Sequence, residues 1–173
     1  FRLSHHQQRL WQLQQESSAY RAHCVLLIEG SLKSVALKEA LQNIIKRHEI
    51  LRTAFRFLPS MDMPVQVIID DSTIALHEVD FTQWNEEEQK ERLEEYLRKE
   101  QEKEFDYEQG KVVNAGLVTL TEHKHLLVVN LSAMCVDETS LSKFIGELVE
   151  QYEACVAGNL QIRETVQYVD FSE

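Results

Sequence analysis

The sequence predicts an α/β fold, a two-layer sandwich of a mixed sheet and helices. Two observations carry that prediction. Apolar runs of strand length, Val25-Leu26-Leu27-Ile28 and Leu126-Leu127-Val128-Val129, alternate with stretches whose apolar residues recur at helical spacing. No internal repeat, low-complexity tract or linker divides the 173 residues, a length that suits one domain or one lobe of something larger.

Taken in order, Ser4 to Gln15 reads as a short helix with Ser4 as N-cap and Leu10, Trp11 and Leu13 as apolar contacts. Its adjacent His5 and His6 point about 100° apart, a poor arrangement for gripping one metal. Tyr20 to Glu29 is a strand whose apolar second half predicts burial on both faces, and Gly30 ends it. Ser34 to His48 is an amphipathic helix with Leu37, Leu41, Ile44 and His48 on its stripe. Ile50 to Leu58 alternates as a strand, the stretch from Pro59 to Pro64 turns, and Val65 to Ile69 and Ile74 to Val79 are short strands. Glu86 to Glu104 is an acidic surface helix with a thin seam of Leu93, Tyr96 and Leu97 and spaced pairs such as Glu88/Arg92 and Glu95/Lys99. Val112 to Leu120 and His125 to Leu131 form a hairpin. Asp137 or Thr139 caps a last helix along Leu141, Phe144, Leu148 and Tyr152, closed by Gly158, and Gln161 to Glu173 is a tail.

Composition narrows the function classes. Hydrophobic content of 43% and charged content of 27% are ordinary for a globular protein. A formal net charge of −11 argues against a nucleic-acid surface, which needs clustered Lys and Arg. Cys24, Cys135 and Cys155 are an odd number without paired spacing, so a reducing, cytoplasmic setting is expected. No apolar run approaches the ~20 residues of a membrane span, and the start lacks the pattern of a signal peptide. Phe1 in place of an initiator Met predicts a piece of a longer polypeptide.

The stretch with the strongest claim to chemistry is Asn130 to Ser140, where a buried strand runs into a helix start. Ser132 and Cys135 are its possible nucleophiles. A serine nucleophile needs an adjacent base, and His125 stands seven residues away, roughly 20 Å along a strand. A small, buried, inert Cys135 is the expectation.

Four stretches in order give the chain a family likeness. Ser4-His5-His6-Gln7-Gln8-Arg9-Leu10-Trp11 resembles the S-x-A-Q-x-R-L-W opening of condensation domains from nonribosomal peptide synthetases, with His6 at the alanine. The run Arg47-His48-Glu49-Ile50-Leu51-Arg52-Thr53-Ala54-Phe55 matches their R-H-E-x-L-R-T-x-F motif at every specified position. Phe105 to Gly110 resembles F-D-L-x-x-G-P-L-x-R, although Lys111 and Asn114 replace its Pro and Arg. Tyr168-Val169-Asp170-Phe171 resembles Y-x-D-Y. The resemblance runs end to end but covers about the first half of a full condensation domain. It implies one chloramphenicol acetyltransferase-like lobe over residues 1–173, the N-terminal lobe, whose C-terminal partner lobe lies outside this chain.

The resemblance also implies a site. The H-H-x-x-x-D-G motif falls on Ser132 to Glu138, with Ser132 and Ala133 at the histidines, Asp137 at the aspartate and Glu138 at the glycine. The family's second histidine is held to position or deprotonate an acceptor amine as it attacks a carrier-bound thioester. An alanine methyl does neither. Asp137 implies a structural ion pair with an arginine, and Arg47, His48, Arg52, Ser4, Arg9 and Trp11 imply architectural roles. Ser132, Asp137 and Ser140 also keep two of the three positions of the D-x-x-x-x-D-x-x-S pattern of cyclising relatives. Two functions follow: a carrier-protein or partner-enzyme docking module impaired in catalysis, or an acyltransferase that forms an amide or ester without the histidine. No cofactor is expected to bind directly. The implied partners are the C-terminal lobe, carrier proteins with their phosphopantetheine arms, and neighbouring synthetase domains, with neither nucleic acid nor membrane.

Overall fold

The structure, a computed structural model, describes residues 1–14, 20–159 and 167. The chain runs α1 (His5–Gln14), β1 (Arg21–Glu29), α2 (Ser34–Arg47), a 3-10 turn (Glu49–Arg52), β2 (Thr53–Arg56), β3 (Val65–Ile68), β4 (Leu76–Asp80), α3 (Glu86–Glu102), β5 (Val113–Thr121), β6 (Lys124–Ser132) and α4 (Glu138–Ala157). The one element given the wrong character by pattern alone is Ile50 to Leu58. Its first residues coil into the 3-10 turn, and only Thr53–Arg56 extends to pair antiparallel with β3.

The main sheet is mixed, in the order β1-β6-β5-β4, with β4 parallel to β5 and the other pairs antiparallel. Its two faces carry different chemistry because side chains alternate along each strand. Leu127, Val129 and Leu131 of β6 join the main core with Leu37, Ile44, Phe144 and Leu148 from α2 and α4. The opposite face carries Val128, Asn130 and Ser132, and α3 lies there: the Glu100 carbonyl accepts from Asn130 Nδ2 at 2.9 Å. In register with Asn130 stand His23 on β1 and Asn114 on β5, and His23 Nδ1 is 2.6 Å from Asn130 Oδ1.

The expectation that β1 is buried on both faces fails. Val25 and Leu27 are 38% and 52% exposed. The physical reason is strand order: β1 is an edge strand, and α3 lies over the β5–β6 part of that face.

The acidic helix is held locally. Asn85 accepts from the amides of Glu87 and Glu88 while the Glu88 side chain returns to the Asn85 amide, a capping box. Glu88 is thereby taken from its expected partner Arg92, whose guanidinium instead lies 3.6 Å over the Trp84 ring. Glu95 and Lys99 pair at 2.7 Å as their spacing predicts.

Tyr96 sets how closely α3 approaches the sheet. A Cβ built on Gly116 would overlap the Tyr96 hydroxyl, so the strand needs glycine there for space rather than for backbone conformation. Gly116→Ala is expected to cost about 1–3 kcal/mol in urea unfolding by overpacking. Most of that loss should return in a Tyr96→Phe background, where the overlapping atom is gone. An equal loss in both backgrounds would place the strain elsewhere.

Candidate functional site

The segment after β6 turns back on itself around Ser132. Ser132 is fully buried; its carbonyl accepts from the amides of Cys135 and Val136 at 2.9 and 3.3 Å. Its hydroxyl lies 3.0 Å from the Tyr107 hydroxyl and accepts from the Met134 amide at 3.2 Å. Burial pushes the Tyr107 phenol up, so the partner of Ser132 is a neutral hydroxyl and not a base. Burial likewise pushes the Cys135 thiol up and keeps it protonated, a poor nucleophile. His125 is buried at the far end of β6, 3.1 Å from the Thr119 hydroxyl. The structure therefore brings no histidine beside Ser132 through any of its hydrogen bonds.

Gln7, which sequence reasoning passed over, holds this segment from the other side. It is 1% exposed, and its Nε2 donates both to the Met134 carbonyl and to Gln66 Oε1, each at 3.1 Å. Its Oε1 accepts from the Ser4 amide at 3.0 Å while the Gln7 amide donates to Ser4 Oγ at 3.3 Å, a capping box that makes Ser4 the cap of α1. Gln66 Nε2 passes the chain on to the Arg2 carbonyl at 2.8 Å. The S-x-x-Q spacing was the signal that could have found Gln7.

Three of the motif stretches meet in one aromatic cluster. Trp11 stacks on Phe55 with ring centroids 5.9 Å apart, and Tyr107 meets both edge-on at 5.6 and 5.9 Å. Through Tyr107 the cluster reaches Ser132. Arg9, His5 and His6 are exposed on α1 and stand outside it.

The arginines and histidine of the second motif serve another purpose. Glu147 on α4 takes Arg47 Nη1 at 2.5 Å on one carboxylate oxygen and His48 Nε2 at 2.6 Å on the other. His48 is the C-cap of α2 and not part of its apolar stripe, because the helix ends at Arg47 and the ring turns to Glu147. Arg52 donates to the Ile69 carbonyl at 3.0 Å and meets Asp70 at 3.4 Å. An arginine was expected to pair with Asp137; none does among the described ion pairs. Asp137 instead caps α4, accepting from the Ser140 amide at 2.7 Å. Tyr168 to Phe171 lies outside the described residues, and Glu138 opens α4.

Ala133 follows Ser132 as a half-buried residue, its amide donating to the Tyr20 carbonyl at 3.3 Å. No group of three or more His, Cys, Asp or Glu among the described residues is placed to hold a metal. No helix among them is long and apolar enough to cross a membrane.

With this geometry in place, the family model described as Condensation domain matches residues 1–173. The chain belongs to the condensation-domain family. It is 32% identical over 98% of its length to chondramide synthase cmdD of Chondromyces crocatus, of which it spans 4%. It is 30% identical, again over 98% of its length, to surfactin synthase subunit 2 of Bacillus subtilis, of which it also spans 4%. Among solved structures it is similar to the X-domain in complex with OxyB from teicoplanin biosynthesis, at 28% identity and a TM-score of 0.85, over 99% of this chain and 36% of that one. The starter condensation domain of rhizomide synthetase RzmA, at 17% identity and a TM-score of 0.85, shares the fold over 43% of its chain. The chloramphenicol acetyltransferase-like α/β fold expected from sequence is thus the fold of the family and of this chain.

The condensation-family loop can be tested through its cap. The Ser140 amide, and then its side chain, hold the Asp137 carboxyl below the usual carboxylate range. A depressed carboxyl adds stability that is present above the unfolded value of about 3.9 and is lost as pH falls through the folded one. Asp137→Ala is expected to cost about 1 kcal/mol in thermal or urea unfolding at neutral pH. The gap to wild type should narrow as pH falls below about 4, where the carboxyl is protonated and caps only through its neutral oxygen. A gap that does not narrow in acid would contradict a contribution from the ionised carboxylate.

Proposed function

We propose that this chain is the N-terminal lobe of a condensation-family domain in a nonribosomal peptide synthetase, and that the domain docks carrier proteins or a partner enzyme instead of catalysing condensation through a base at position 133. The observation that carries the reading is the state of the motif positions. Ala133 offers a methyl group, Ser132 is buried with its hydroxyl committed to Tyr107 and Met134, and Asp137 is committed to the helix cap. None of the three is poised to take a proton from an attacking amine.

The docking half of the reading draws support from the X-domain of teicoplanin biosynthesis, a similar protein found in complex with OxyB. In the proposed arrangement a C-terminal lobe completes the channel, and carrier proteins bring phosphopantetheine-bound groups to it. A cytoplasmic setting follows from that partnership.

Donor- and acceptor-loaded carrier proteins supplied to the complete two-lobe domain test the reading. Wild type is expected to bind carriers without amide formation above background. Ala133→His is expected to gain turnover, within the 10²–10⁴-fold that a positioned base contributes. Turnover by wild type that is lost in Asp137→Ala would replace the docking reading with a histidine-independent acyltransferase.

A further inference from the structure

Two of the chain's departures from the condensation-family motifs touch one another. Tyr107 stands at the leucine of F-D-L-x-x-G-P-L-x-R, and Ser132 stands at the first histidine of H-H-x-x-x-D-G. The two residues are 25 apart in sequence, yet their hydroxyls lie 3.0 Å from one another. Either change alone is unfavourable at a buried position. Serine in place of histidine takes a ring away from a residue with no exposed surface, and the gap loses packing contacts. Tyrosine in place of leucine adds a hydroxyl that needs both room and a polar partner. Together the changes offset each other, since the phenol takes up space beside Ser132 and the serine hydroxyl is its partner.

Neither residue is free to step aside. The Tyr107 ring meets Trp11, Phe55 and Phe105 edge-on, with centroids 5.6, 5.9 and 6.1 Å away. Its carbonyl accepts from the amides of Phe55 and Gly110 at 2.8 and 3.3 Å. The Ser132 amide donates to the Val112 carbonyl at 3.0 Å, and its Oγ accepts from the Met134 amide at 3.2 Å. The space between the two side chains is therefore bounded by fixed main chain on both sides, and positions 107 and 132 must share it. An imidazole extending from the Cβ of residue 132 meets the phenol while Tyr107 keeps its place.

We propose that Tyr107 is a positioning residue of the segment after β6, its phenol substituting for the ring that the motif carries at position 132. Residue 107 then decides which side chain position 132 can hold. The exchange at 132 is thus compensated within the chain, and it is separate from the loss of a base at 133. The pairing holds whether the domain docks partners or catalyses condensation.

Unfolding midpoints of the complete two-lobe domain in a Tyr107→Leu, Ser132→His cycle test the pairing. Each single variant is expected to lower the midpoint, Tyr107→Leu by emptying the space and Ser132→His by overfilling it. Adding Tyr107→Leu to Ser132→His is expected to raise the midpoint again, a rescue that two independent positions do not give. Exchange of the Met134 amide reads the same pair locally. Tyr107→Phe removes only the hydroxyl that holds Ser132 Oγ in place, and it is expected to speed that exchange by at least about fivefold. With loaded carrier proteins, Ser132→His/Ala133→His is expected to gain at least about tenfold in turnover when Tyr107→Leu is added. That last arm rests on the proposed loss of the base: if no variant turns over, that reading fails while the unfolding cycle still decides the pairing. The proposal is overturned if Tyr107→Leu/Ser132→His is no more stable than Ser132→His or does not fold. It is equally overturned if Tyr107→Phe leaves Met134 exchange unchanged, or if the turnover of Ser132→His/Ala133→His is indifferent to Tyr107→Leu.

Discussion

One buried amide, that of Gln7, ties three parts of the chain that sequence separates widely. Its nitrogen spans from the segment after β6 to β3, and its oxygen closes the first turn of α1. A side-chain amide at 1% exposure is costly unless its hydrogen-bonding groups are satisfied, and here both the nitrogen and the oxygen have partners. The same arrangement fixes the entry of the chain, since Gln66 continues to the Arg2 carbonyl and the main chain of Phe1 pairs with that of Gln66. Losing one member would strand several buried partners, so the penalty exceeds that of one hydrogen bond.

This network holds the course of the segment after β6 with a serine and an alanine at positions 132 and 133. Nothing that positions the main chain at Ser132 to Val136 passes through the side chain of residue 133. The carbonyl of Ser132, its hydroxyl, Tyr107 and Gln7 provide the restraints, and the aromatic cluster of Trp11, Phe55 and Tyr107 backs them. Shape and chemistry are thus separable at this site. Glu147 plays the parallel part on the other side of the core, where one carboxylate joins the end of α2 to α4 through Arg47 and His48.

Local patterns in the sequence were sufficient for most of the elements and for the Ser4 and Asp137 caps. The Asp137 cap needs only a residue three positions away, and the Ser4–Gln7 box the same spacing. What local pattern could not supply were partners chosen by topology. Arg47 and Glu147 stand 100 residues apart, and nothing near Arg47 names its carboxylate. Asp137 lies ten residues before Glu147, about 15 Å along the helix axis, so an arginine seated at Glu147 is out of its reach. The exposure of Val25 and Leu27 was equally hidden, since a run of apolar residues looks the same whether its strand ends up central or at an edge.

The central claim is that the loop's geometry depends on Gln7 and Ser132 and not on residue 133. Amide hydrogen exchange at Met134, Cys135 and Val136 measures it directly. Protection at these amides is expected to fall sharply in Gln7→Leu, while the amides of β5 stay protected, and to be unchanged in Ala133→His. Unchanged protection in Gln7→Leu, or a loss in Ala133→His as large as that in Gln7→Leu, would contradict the account.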